Sequence, residues 1–263
     1  YWMLALLLKP QALLVAPLIG VVVLLDLFGS RGEWKKKAGK VLGCIAAMSA
    51  VYLALALPMM GEQDVLYAIR RCLNTAGSYD YASMNAFNFC ALLGGNFVSQ
   101  SALIFGVSFK TLGISGIVLT ILLVSFLYWK RRERENLFLL SAILLGGIFT
   151  FGHMMHERYI ILAIGLALLA ALQKDNRRLL LSATVFCMIG FLNIYLVLQF
   201  GADRVYDWLI RLLSLAEVAG YIWFTVEGII QIWTGKRTPL APVQEVFTPL
   251  PDRKLEDAQR RLE

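Results

Sequence analysis

The only two histidines of the chain, His153 and His156, share one ten-residue stretch, "FGHMMHERYI" (151–160), with Glu157 and Arg158. Imidazole supplies N–H donors or a cation near neutral pH, and guanidinium supplies a planar fork of donors. Three chemistries suit such a set. One is an anion site, for which phosphate oxygens match the Arg fork. Another is a metal site at the His153/His156 spacing, although no third ligand is evident and the HExxH zinc-protease pattern is absent. The third is an interfacial turn in which Arg158 pairs with Glu157 and the histidines cap helix ends. Which holds depends on the solvent around the turn.

That solvent is set by the surrounding elements. Hydrophobic residues make up 59% of the 263, and charged residues 16%. Soluble domains rarely go so far. Apolar runs of about membrane-spanning length fall at 10–28, 41–57, 112–129, 137–152, 159–172, 179–199 and 215–233. They are continuous rather than alternating, which excludes a β-barrel. The expected fold is all-α: a polytopic transmembrane bundle of about seven spanning helices.

The net charge of +7 does not point to nucleic acid, because 18 of the 25 Lys and Arg lie in 31–40, 130–135, 173–178 and the tail from Thr234. Basic loops of this kind mark the cytoplasmic side. Lys9-Pro10-Gln11, the 58–111 segment, the histidine turn and 201–214 then face the other way. Residues 1–233 are expected to form one transmembrane unit, in which 58–111 lies along or dips into the outer surface as short interfacial helices, followed by a cytoplasmic tail, 234–263. Tyr1 already lies in an apolar run, so the chain is read as the C-terminal part of a longer protein. The four cysteines lack metal-like spacing, and a Cys72–Cys90 bridge stays open for an oxidising compartment.

The hairpin from Leu137 to Leu172 has only 36 residues, whereas two full crossings need about 40. The turn at 153–158 is therefore expected at the membrane boundary or just beneath it. Polar groups there must be satisfied by protein or by a water-filled cavity. A donor-phosphate site would use His153, His156 and Arg158, with Lys9 as an added point charge. The alternative for Lys9 is a side chain snorkelling at a helix start, with Pro10 in the first turn. Gln11, Tyr79, Tyr81, Asn85 and Asn88 offer aromatic faces and amides for a sugar or acceptor, and equally suit an interface belt. Asp80 and Glu157 are the acidic candidates, and Glu157 is also placed to orient Arg158 or a histidine. Asn193 is expected to bond between helices, and Glu217 and Glu227 to lie within reach of a helix end. Titratable groups are scarce in the runs, which argues against a proton-coupled transporter.

Three blocks, "KPQALLVAPL" (9–18), "NAFNFCALLGG" (85–95) and "HMMHERYIILAIGLALLA" (153–170), resemble the bacterial relatives of the mannosyltransferase that adds the second mannose to glycosylphosphatidylinositol anchors. These are integral membrane glycosyltransferases of the GT-C class. The resemblance implies an enzyme of the bacterial plasma membrane, with an outward-facing site and a cytoplasmic C-terminus. It would move a sugar, mannose in the family, from a polyprenyl-phosphate donor to a hydroxyl of a glycan or lipid acceptor. It also implies that the catalytic acidic residue lies in a loop upstream of Tyr1, so no catalytic base is assigned here and the activity of this portion alone is open. No cofactor is assigned beyond the lipid-linked sugar, and divalent-metal dependence is open. The competing reading is a lipid-linked-glycan transporter or flippase without transferase activity.

Overall fold

The computed structural model describes residues 1–29, 32–59, 61–76, 79–200 and 206–235, so all but the first two residues of the tail expected at 234–263 lie outside the described residues. Helices dominate: α1 (Trp2–Leu8), α2 (Ala16–Phe28), α3 (Trp34–Ala56), α4 (Tyr67–Ala76), α5 (Phe89–Leu92), α6 (Phe109–Lys130), α7 (Leu137–Phe151), α8 (Ile161–Gln173), α9 (Arg177–Phe200) and α10 (Asp207–Thr234). Among the described residues, six helical segments are long and apolar enough to cross a membrane: Pro10–Phe28, Trp34–Met59, Phe109–Lys130, Arg134–Phe151, Arg177–Phe200 and Asp207–Thr234. The protein is an all-α membrane bundle. The run at 159–172 becomes α8, whose 13 residues rise about 20 Å, less than the ~30 Å of a hydrocarbon core. It pairs with α7 as a short hairpin, with the histidine turn at its tip.

The central helix is α7. Its residues from Leu139 to Thr150 are almost continuously buried, as expected of a helix that is apolar all round. Small residues bring the helices together, because lipid gives no hydrophobic drive for packing between them. At Gly147 a Cβ would fall 2.4 Å from Thr120 Cγ2 and 2.5 Å from the Tyr221 hydroxyl, so only glycine lets α6 and α10 close on α7 here. Tyr221 then donates its hydroxyl to the Ile143 carbonyl at 2.9 Å. Ala163, Ala167, Ala170 and Ala171 line the buried face of α8.

The 58–111 segment combines an exposed amphipathic helix with a stretch that enters the bundle. Helix α4 has the amphipathic character of an interfacial helix, with Tyr67 and Ile69 exposed. Tyr79, Asp80 and Tyr81 are exposed, but from Ala82 to Ala91 the chain leaves the surface. It dips among the helices as an irregular plug in which Ala82, Ser83, Ala86, Phe87, Asn88 and Cys90 have no exposed area. Two-residue strands tie it down: β1 (Ser83–Met84) pairs in parallel with β4 (Met155–His156), and β2 (Leu103–Ile104) pairs antiparallel with β3 (Val107–Ser108). Asn85 at φ 58° and Gly94 at φ 84° are residues that accept left-handed backbone. They let the plug turn where a regular helix could not.

Candidate functional site

The plug and the histidine turn form one structure. Met154 donates its backbone N–H to the Ala82 carbonyl at 3.0 Å, Ser83 pairs with Met155, and Met84 and Asn85 both pair with His156. An apolar cluster beneath them joins all three sequence blocks: Leu14 and Val15, then Ala86, then Met155, Tyr159 and Ile160, packed with Leu145 and Phe149. The 3₁₀ turn Pro10–Val15 carries the first block to this place, and Trp2 pins it by donating from Nε1 to the Ala12 carbonyl at 3.1 Å.

Asn88 is the keystone of the plug. Its Nδ2 donates to Phe149 O at 3.0 Å and Gly152 O at 2.9 Å, while its Oδ1 caps α5 by accepting from Ala91 N at 3.1 Å. Carbonyls at the end of α7, which have no partner within their own helix, are thus satisfied from another segment. Asn85 is engaged as well, through reciprocal bonds with Asn96 at 2.8 and 3.2 Å. Asn193 donates to Asn85 O at 2.7 Å and accepts from Phe87 N at 3.0 Å. Asn193 therefore clamps the plug rather than another helix. The structure thus places the Asn88 amide among backbone partners and the Asn85 side-chain oxygen on the Asn96 amide. Cys90 is a free thiol, 3.7 Å from Gly152 O, in place of the disulfide considered above.

The histidines are held differently. His153 Nδ1 and His156 Nε2 are buried and have no hydrogen-bond partner. Helix α6 approaches His153 through Gly113, where a Cβ would fall 2.5 Å from His153 N and 2.8 Å from its Nδ1. Tyr79 and Tyr159 stand edge-on to the His156 ring, with centroids 5.1 and 5.4 Å away. Met154, between the histidines, has φ 59°, a costly conformation for an unbranched non-glycine residue that persists only where its surroundings impose it. Burial, followed by the charge of Lys110, holds His153 below the ordinary imidazole range. Burial, followed by Arg158, does the same to His156 against the opposing pull of Glu157. Both shifts favour the neutral ring, so of the two roles open to imidazole the N–H donor is the one this setting supports.

The cations beside the imidazoles are Arg158, exposed with its guanidinium 5.9 Å from the Tyr159 ring centroid, and Lys110 at the start of α6. Lys9 is exposed at the break between α1 and the Pro10–Val15 turn. Lys110 was missed because sequence separation hides a neighbour that only the plug's folding creates. Gln11 is half-buried with an unpartnered, buried Oε1. Glu157 lies beside His156, Oε2 to Nδ1 at 3.9 Å, too long for a hydrogen bond. Asp80 is on the surface, accepting from Ser99 Oγ at 2.9 Å and Gln100 Nε2 at 3.2 Å. Tyr81 is also exposed, edge-on to Phe97.

Below the turn, a cavity of about 260 Å³ opens between α6 and α10, lined by Gly116, Thr120, Phe151, Tyr221, Thr225 and Val226 among others. Phe151 is the last residue of α7, so this apolar groove begins where the turn ends. Nearby, Glu217 has 1% exposure and two unpartnered carboxylate oxygens. It lies about 15 Å along α10 from Asp207, deeper than the expected position near a helix end. Among the described residues no group of three His, Cys, Asp or Glu side chains is gathered as for a metal. Comparison of the chain with protein-family models, with curated proteins and with solved structures gave no match.

Proposed function

We propose that the protein is a membrane glycosyltransferase of the GT-C type that binds a polyprenyl-phosphate sugar at the histidine turn and transfers the sugar on that side of the membrane. The observation that carries the reading is the pair of buried, unpartnered imidazole nitrogens flanked by Lys110 and Arg158. A buried polar atom without a partner is costly, and a phosphate oxygen is an acceptor for an imidazole N–H at either nitrogen. The groove beside Phe151 supports the same ligand, since prenyl units running down between α6 and α10 would leave the phosphate at the turn.

In such a reaction the glycosidic C–O bond breaks and negative charge grows on the departing phosphate. Arg158, Lys110 and the imidazole N–H groups are fixed donors for that charge and would stabilise the transition state more than the ground state. Glu157, beside His156, would orient the ring. Neither Glu157 nor Asp80 is assigned as the base that takes the acceptor's proton. The outward-facing site, cytoplasmic basic loops and bacterial plasma membrane belong to this proposal.

The test is sugar transfer from polyprenyl-phosphate mannose to a glycan or lipid acceptor by purified protein in liposomes. Transfer should fall at least tenfold in Arg158→Ala and in His156→Ala with the fold intact. Movement of the lipid between leaflets without any transfer would refute the enzyme and favour a flippase.

A further inference from the structure

The opposite end of the bundle holds a second charged cavity, independent of the histidine turn. At the loop-side ends of α2, α3 and α6 a space of about 290 Å³ is lined by Val22, Val41, Tyr128, Asp26, Arg132 and Arg134, with others. Arg132 reaches it across Gly29, where a Cβ would fall 2.8 Å from Nη1. The one carboxylate in the lining, Asp26, is already bonded by Lys37 at 2.7 Å. The charge of Arg134 also acts on Asp26, but among the described residues neither Arg132 nor Arg134 closes to ion-pair distance of a carboxylate.

The walls change character with depth. Val22 and Val41 belong to apolar spanning segments, Pro10–Phe28 and Trp34–Met59, that bury little of themselves within the protein. Leu24, Leu42 and Ile45 on the same two helices face outward. The cavity therefore has two guanidinium groups at its mouth and hydrocarbon-facing walls below, while its own acid is neutralised. We propose that it is a headgroup site for an anionic phospholipid of the leaflet on the basic-loop side. Arg132 and Arg134 would grip the phosphate, and one acyl chain would lie along Val22 and Val41. Basic pockets between transmembrane helices recognise lipid headgroups on this physical basis, and the Arg fork suits phosphate oxygens.

Charge on a loop attracts anionic lipid diffusely, so the test must separate a cavity from a general field. Detergent-solubilised full chain is titrated with phosphatidylglycerol, phosphatidylcholine or inorganic phosphate, and bound lipid is counted by native mass spectrometry alongside the melting temperature. Phosphatidylglycerol should bind and raise the melting temperature, with phosphatidylcholine and inorganic phosphate having little effect. At about fivefold per arginine, the Arg132→Gln/Arg134→Gln double variant should bind roughly 25-fold more weakly. Arg177→Gln/Arg178→Gln, outside the cavity at the start of α9, should bind like wild type. Equal loss in both double variants would reduce the effect to diffuse charge and overturn the proposal. So would undiminished binding in the first variant, equal binding of phosphatidylcholine, or inorganic phosphate acting as well as the lipid.

Discussion

At the end of the bundle that carries His153 and His156, the chain folds back among the helices and buries irregular backbone. At the end that carries Arg131 to Arg134, it turns within a few residues and leaves those arginines exposed, while Lys174 and Asn176 of the next turn are buried. The first arrangement is expensive, because each buried amide and carbonyl of the plug needs a partner. Asn85, Asn88, Asn96 and Asn193 supply many of them. The two histidine nitrogens are left without a partner beside this network, as are Gln11 Oε1 and Gln100 Oε1. At the other end Arg131 donates to Trp233 O and Asn176 to Gln231 Oε1, ordinary closures of short loops. A polar group enclosed at cost and left open is a stronger pointer to a ligand than a polar group in water.

The comparison breaks most decisively at Asn88. Asn88→Leu should remove two carbonyl partners and one cap, destabilising the protein by about 4 kcal/mol. Thermal unfolding in detergent would show it, and a loss below about 1 kcal/mol would mean the plug is dispensable. Next comes Gly113→Val, which should cost about 2 kcal/mol by driving α6 into His153. Gly165→Val on α8, where a Cβ meets nothing within 4 Å, should cost much less in the same melt.

A smaller effect is expected from pH. Folding lowers the pKa of both imidazoles from the usual 6.5, so below 6.5 the unfolded chain binds more protons than the folded one. Their contribution to stability is complete above pH 6.5 and is lost as pH falls toward the folded values. Melting temperatures followed from pH 8 to pH 5 should decline less steeply in a His153→Gln/His156→Gln variant. Smallest of all, Arg131→Ala at the opposite end should change stability by no more than about 0.5 kcal/mol, which the same melts would resolve.

Much of this fold could be read from residue order alone. Long apolar runs with few charges marked the spanning helices, and the shortness of the 159–172 run is the shortness of α8. Ser83 pairing with Met155 could not be read, because two-residue strands have no periodicity and their partners are distant in sequence. For the same reason Asn88 looked like a ligand-binding amide; residue type says an amide needs partners but not where they are. Lys110 was passed over as one exposed base among many, and Glu217 because helix limits near 201–214 were unknown. The histidine turn was legible as a candidate site since its residue types conflict with their apolar flanks. The shift of its rings toward the neutral form was not, because that depends on burial.

The central claim is that the histidine turn binds a lipid phosphate. Isothermal titration of the full chain in detergent with geranyl phosphate and with geraniol tests it most directly. The phosphate should bind at least tenfold more tightly than the alcohol, and that advantage should vanish in a His153→Gln/His156→Gln/Arg158→Gln variant that still melts cooperatively. Equal binding of phosphate and alcohol, or an advantage undiminished in the triple variant, would contradict it.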